Sequence, residues 1–139
     1  MLDPARTTVI TGAGVSTDSG IPDYRSPGSP PRNPMTGDAF RASQENRQRY
    51  WARGYVGWES HEKFRPNSVH YDLARLAPLG LITQNVDGLH SAAGSESVVE
   101  LHGSLHKVVC LSCGHGLHRS WVQRRLGHLN PRFLETTRI

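Results

Sequence analysis

A β-branched run, Thr7-Thr8-Val9-Ile10-Thr11, ends directly in Gly12-Ala13-Gly14-Val15-Ser16. Such a run reads as a buried strand, because branched side chains suit a pleated surface. A glycine turn behind a strand lets backbone N–H groups approach a phosphate, and a helix opening there, over 13–19, attracts the same charge. The turn can equally be a tight chain reversal with no ligand. A dehydrogenase fingerprint needs a third glycine where this chain has Thr17, and an acidic residue after a second strand about 20 residues on. Instead, Ile21 to Pro34 carries Pro22, Pro27, Pro30, Pro31 and Pro34. Proline fixes φ and removes a donor, so this stretch is expected to be a loop. An ordinary hydride-transfer site is therefore disfavoured.

Thr36 to Trp58 is arginine-rich with interspersed aromatics, and predicts one or two helices broken near Gly54 and Gly57. Val69, Leu73, Leu76 and Ala77 have amphipathic helical spacing, stopped by Pro78 and Gly80. Strands are expected at 79–83 and 98–101, with a polar turn at 84–88 and a short helical turn at 89–93. Strands alternating with helices favour a parallel α/β sheet.

Three further segments carry chemistry. Gly20-Ile21-Pro22-Asp23-Tyr24-Arg25 is either a surface loop with a capping Asp23 or a lid placing an aromatic and a guanidinium over a charged ligand. Thr83-Gln84-Asn85-Val86-Asp87-Gly88-Leu89-His90 lies at a strand end, where open α/β sheets bind ligands. Its amides and carboxylate suit a ribose and a carboxamide, while Asp87 could also cap the next helix. Glu100-Leu101-His102-Gly103 ends another strand with a histidine that is either a general base or a bland surface residue.

Cys110 and Cys113 are the only cysteines and form a CxxC, which is half a metal site or a redox dithiol. His115 and His118 follow, but one residue between Cys113 and His115 is tight for a zinc ligand pair, so both are expected to face solvent.

Hydrophobic content of 36% and charged content of 20% place the chain with folded globular proteins and exclude a disordered one. Its apolar runs are too short for a bilayer span, so no membrane partner is expected. The glycine motif follows so closely on Met1 that a secretory or transit peptide has no room, which makes the cytoplasm the default location. The net charge of +4 raises a nucleic-acid partner, or a zinc-ribbon binder of nucleic acid. Against this, the arginines are spread out and mixed with Asp38, Glu45 and Glu59, and such a binder leaves the segment at 83–90 unexplained.

The block from Thr11 to Arg25, then TQNVDGLH, ELHG and CxxC in this order, resembles the sirtuin family of Sir2-type NAD-dependent protein deacylases. The resemblance extends to about Pro131. Arg47-Gln48-Arg49-Tyr50-Trp51-Ala52-Arg53 with Val56-Gly57-Trp58 is further similar to class II sirtuins, the mitochondrial lipoamidase and ADP-ribosyltransferase type and its bacterial relatives. It implies a partial Rossmann-type parallel sheet with a helical insertion and the start of a small zinc-binding module. The Rossmann part would be 1–35 and 79–104, the helical segment 36–78 and the zinc module 105–139.

By the same resemblance, Gly12, Ala13, Gly14 and Ser16 would hold the NAD pyrophosphate, and Asp23, Tyr24 and Arg25 would sit on a mobile cofactor loop. Gln84 and Asn85 would contact the ribose and Asp87 the nicotinamide carboxamide. His102 would be the general base, with Asn85 a second catalytic residue. Cys110 and Cys113 would bind structural zinc. The implied reaction removes an acyl group from a protein lysine, giving nicotinamide and 2′-O-acyl-ADP-ribose, with possible ADP-ribosyl transfer.

The chain stops at Ile139, before a second cysteine pair. The expectation is a C-terminally truncated domain with an unpaired strand edge and exposed apolar surface. Alone it would be marginally folded and weakly active or inactive, a weak binding or interaction module being the alternative.

Overall fold

The structure, a computed structural model, describes residues 3–23 and 33–136. They form two compact units, one from Met1–Pro31 with Phe64–Lys107, the other from Arg32–Lys63 with Val108–Ile139. These units divide the chain differently from the segments drawn on the sequence, since the helix before Pro78 groups with the sheet.

In the first unit, β1 (Thr8–Thr11), β2 (Gly80–Thr83) and β3 (Val98–Glu100) form a parallel sheet in the order β1-β2-β3. The parallel α/β expectation is met, with strand bounds within a residue of those expected. Pairing aligns Val9, Leu81 and Val98 on one face and Ile10, Ile82 and Val99 on the other. Leu81 is 2% exposed, so the first face is the core. Ile10 and Val99, at 67% and 51% exposed, leave the second face open, although parallel sheets are ordinarily covered on both.

Residues 13–19 are helical as expected, but as a tight 3₁₀ helix rather than an α-helix: the Val15 N–H reaches only back to the Gly12 carbonyl, 3.1 Å away. The helix α3 (Ser68–Leu76) starts at a capping box on Asn67 and ends at Ala77, whose φ of 47° turns the chain ahead of Pro78. The short α4 (Leu89–Ala92) follows β2.

The second unit holds α1 (Gly37–Ala42) and α2 (Gln44–His61). It also holds the strand β4 (Lys107–Val109) from Val108 on, its partner β5 (Gly116–His118), then α5 (Arg119–Leu129) and α6 (Phe133–Thr136). One or two helices broken near Gly54 and Gly57 were expected over 36–58, and two form, but the break falls at Ser43, whose Oγ caps α2 by accepting the Asn46 N–H at 3.1 Å. The helix α2 runs unbroken through Gly54 and Gly57. Each glycine disfavours a helix by about 1 kcal/mol, and packing outweighs it. Arg119, 6% exposed, donates to the Gly54 carbonyl at 3.0 Å and lies 4.8 Å from the Trp58 ring and 5.4 Å from Trp51. The sequence reading drew no element over α5, whose polar composition hides this anchoring. Among the described residues, no helix is long and apolar enough to cross a membrane.

Leu81 is the buried apolar centre of the sheet. Truncation to alanine should lower unfolding free energy by about 2–5 kcal/mol, read as a shifted midpoint in urea denaturation. An unchanged midpoint would mean that this face is not the core.

Candidate functional site

Each strand of the sheet delivers one candidate segment at its carboxyl end. The parallel ladder continues past the strands, with the Gln84 N–H donating to Thr11 O at 3.0 Å and the Leu101 N–H to Thr83 O at 2.9 Å. Gly12–Ser16, Gln84–Asp87 and His102 are therefore held along one edge, where ligands of open parallel sheets bind. Among the described residues, nothing lies within 4 Å of where a side chain would begin at Gly12 or Gly14, so that stretch of backbone offers its N–H groups to a ligand.

Behind the loop is a buried polar knot. Ser16, 1% exposed, donates its hydroxyl to Asp87 Oδ2 at 2.8 Å. Asn85 Nδ2 donates to Ser16 Oγ at 3.0 Å and to the Gly12 carbonyl at 3.1 Å. The Asn85 N–H reaches Thr83 Oγ1 at 3.0 Å, which fixes the turn out of β2. Asp87 Oδ1 accepts the Leu89 N–H at 3.0 Å, so this carboxylate does serve the start of α4 as well as the knot.

Next to the knot, His106 Nε2 donates to the Asp87 carbonyl at 3.1 Å. Gly88 has φ of 74°, and a Cβ there would meet His106 Cδ2 at 2.8 Å. Glycine is required here on both counts.

His102 is exposed, and its Nδ1 lies 3.1 Å from the Gln84 carbonyl. A carbonyl only accepts, so Nδ1 carries a proton, and in the neutral ring Nε2 is the acceptor on the exposed side. That is the tautomer a general base needs. Gln84 is also exposed, and Ala13 and Asp23 are half-buried. Tyr24 and Arg25 lie outside the described residues.

In the other unit, Cys110 and Cys113 sit in the turn between β4 and β5. The Cys110 N–H donates to the His115 carbonyl and the Gly114 N–H to the Cys110 carbonyl, both at 2.9 Å. Backbone N–H groups of Cys113 and then Ser112, directed at the sulfur, hold the Cys110 thiol below its usual range. His115 and His118 are exposed, as expected, and a His118 ring nitrogen lies 2.9 Å from Ser120 Oγ. No three His, Cys, Asp or Glu side chains gather as a metal-holding group among the described residues. Two thiols are half the four ligands that structural zinc takes.

A model of the Sir2 family matches residues 12–133. The chain belongs to the Sir2 family. It is similar to NAD-dependent protein deacetylase 1 of Mycobacterium avium, 53% identical over 136 residues, or 95% of this chain and 48% of that protein. It is also similar to the mitochondrial NAD-dependent protein lipoamidase sirtuin-4 of Bos taurus, 47% identical over 135 residues, or 91% of this chain and 43% of that one. Among solved structures, a complex of Sir2 with a p53 peptide and NAD+ matches with a TM-score of 0.70 at 36% identity, covering 87% of this chain and 50% of that one. A Sir2 complex with the inhibitor EX-527, 2′-O-acetyl-ADP-ribose and a deacetylated p53 peptide matches at 0.72 and 32%, covering 88% and 50%. The chain spans about half the length of the curated relatives it matches.

In this Sir2-family chain, the structure brings Gly12, Ala13, Gly14, Ser16, Gln84, Asn85, Asp87 and His102 to one sheet edge. Cys110 and Cys113 belong to the other unit. Sequence reasoning assigned no role to Thr11, Asn67, His70, His90 or His106. Only Thr11 and His90 lay inside quoted segments, and no local spacing joins the others.

Ser16→Ala should destabilise the first unit by about 1–3 kcal/mol, because Asn85 and Asp87 each lose a buried partner; urea denaturation reads this, and a neutral result would dissolve the knot. Gly88→Ala should lower the melting temperature, with His106→Ala giving partial relief in the double variant. Strictly additive losses would argue against the contact with His106.

Proposed function

We propose that this chain carries the NAD-facing, base-bearing part of an NAD-dependent protein-lysine deacylase. The observation that supports it most is the buried Ser16–Asn85–Asp87 knot at the strand ends, beside an exposed His102 in the tautomer of a base. The open backbone at Gly12 and Gly14 fits a pyrophosphate, which needs close N–H donors and no side chain in the way.

On this reading Gly12, Ala13, Gly14 and Ser16 line the pyrophosphate site. Gln84 and Asn85 hold the ribose, and Asp87 accepts from the nicotinamide carboxamide. Asp23, Tyr24 and Arg25 exclude water from the reacting sugar. NAD, as co-substrate, supplies an electrophilic ribose carbon with a neutral leaving group. Expelling that group calls for close placement of the acyl-lysine oxygen more than for a strong acid. His102 Nε2 takes the proton of a ribose hydroxyl, and Asn85 keeps the sugar in register. That hydroxyl attacks the imidate carbon formed when the acyl oxygen displaces nicotinamide, and one water then releases the amine, so the products are free lysine, nicotinamide and 2′-O-acyl-ADP-ribose; ADP-ribosyl transfer to a protein is a branch of the same chemistry. The Cys110–Cys113 turn would contribute half the ligands of a structural zinc site, and no step depends on it.

A second reading is a binding module without turnover. The open apolar sheet face, with Ile10 and Val99 exposed, favours it, because such surfaces serve contact with other chains.

Nicotinamide release by the purified protein, given NAD and a panel of acyl-lysine peptides, separates the two. Peptide-dependent release that falls about 10²–10⁴-fold in His102→Ala is the expected result. No release above that of the variant would overturn the deacylase reading in favour of the second.

A further inference from the structure

Two buried imidazoles take no part in the chemistry above. His70 of α3 and His90 of α4 are 0% and 2% exposed, with ring centroids 4.8 Å apart. His90 Nε2 lies 2.9 Å from Thr11 Oγ1, on the residue just before the glycine loop. His70 Nδ1 lies 3.3 Å from the Asn67 backbone nitrogen and 3.0 Å from Asn67 Oδ1. Asn67 Nδ2 in turn donates to the Val15 carbonyl at 2.8 Å and to Ser19 Oγ at 3.1 Å. The stretch from Thr11 to Ser19 is therefore gripped at its front by His90 and at its back by Asn67, with His70 joining the two grips.

The cluster tolerates only uncharged rings. His70 Nε2 and His90 Nδ1 are buried with no hydrogen-bond partner among the described residues. A proton added to His90 would put an N–H on its buried, unpartnered Nδ1. A proton added to His70 would go on Nδ1, which accepts the Asn67 N–H in the capping box, and would cost that bond. With both charged, the rings would repel each other.

We propose that Asn67, His70 and His90 are positioning residues that hold the Thr11–Ser19 loop in its nucleotide-binding shape while both rings are neutral, and release it when a ring takes a proton. This rests on the NAD reading of that loop.

The charges facing the pair are few. Asp87, from the turn before α4, favours protonation of both rings, and His70 opposes it at His90. From β1 comes the uncharged Thr11 hydroxyl, and from the 3₁₀ helix the Val15 carbonyl and Ser19 hydroxyl. Burial is the largest influence on each ring and holds both below the ordinary value of 6.5. The folded protein then binds fewer protons than the unfolded chain below neutrality. The stabilisation from the neutral pair is complete above about pH 6.5 and is lost as pH falls through the lower folded values.

The test follows ring and loop together. The imidazole signals of His70 and His90 and the amide signals of Gly12 and Gly14 are recorded by NMR from pH 8 to 5, alongside NAD affinity by calorimetry. The expected result is that the loop amides shift with the midpoint of the ring titration, and that NAD affinity falls about tenfold over that range. In a His70→Asn, His90→Gln variant, which keeps the hydrogen-bonding atom of each ring, the pH dependence should flatten. Loop amides that ignore the ring titration, or a variant with the original pH dependence, would overturn the proposal. Absence of NAD binding at every pH, with loop amides still following the rings, would sink the nucleotide reading and leave the positioning device standing. If the variant does not fold, the ring and loop titration of the unaltered protein decides alone.

Discussion

The Ser16 hydroxyl is a small group on which much of the first unit converges. It donates to Asp87 and accepts from Asn85, so one buried oxygen ties the loop after β1 to the turn after β2. Hydrogen bonds to a charged group contribute about 1.5–3 kcal/mol, and losing a buried partner is worse than never having had it. The loop shape, the Asp87 orientation and the start of α4 through the Leu89 N–H all follow from the same carboxylate. A ligand at this sheet edge would meet a surface organised before it arrives, which reduces the ordering that binding must impose.

The parallel sheet makes that convergence possible. Strands in register end together, so three segments distant in sequence meet at one edge. The face with Leu81 is closed and the face with Ile10 and Val99 is open. The site is thus supported from one side by core and from behind by the Asn67–His70–His90 cluster. In the other unit Arg119, set among Trp51, Trp58 and the Gly54 carbonyl, carries the organisation that apolar residues usually supply. Desolvation holds its guanidinium below the ordinary value, opposed by Tyr50 and Glu62.

Much of this was legible in the residues. The β-branched run into Gly12, the strand at 80–83 and the parallel alternation were readable because period and turn chemistry are local signals. The candidate site was legible as four separate motifs, each ambiguous by itself. The reading failed at α2, where propensity argued for a break at Gly54 and a contact with Arg119, 65 positions away, won. It assigned nothing to Asn67, His70 or His106, since a histidine carries no local mark of what it will be buried against.

By itself the sequence determined the order of strands and helices in the first unit, the family and the chemical types at the sheet edge. It did so because backbone preference and side-chain chemistry are written residue by residue. Only the tertiary structure decided that Ser16 joins Asn85 and Asp87, that His102 Nδ1 faces the Gln84 carbonyl, and that two imidazoles lie buried behind the loop. Those outcomes depend on distances between residues up to 79 positions apart, and such distances exist only once the sheet has closed.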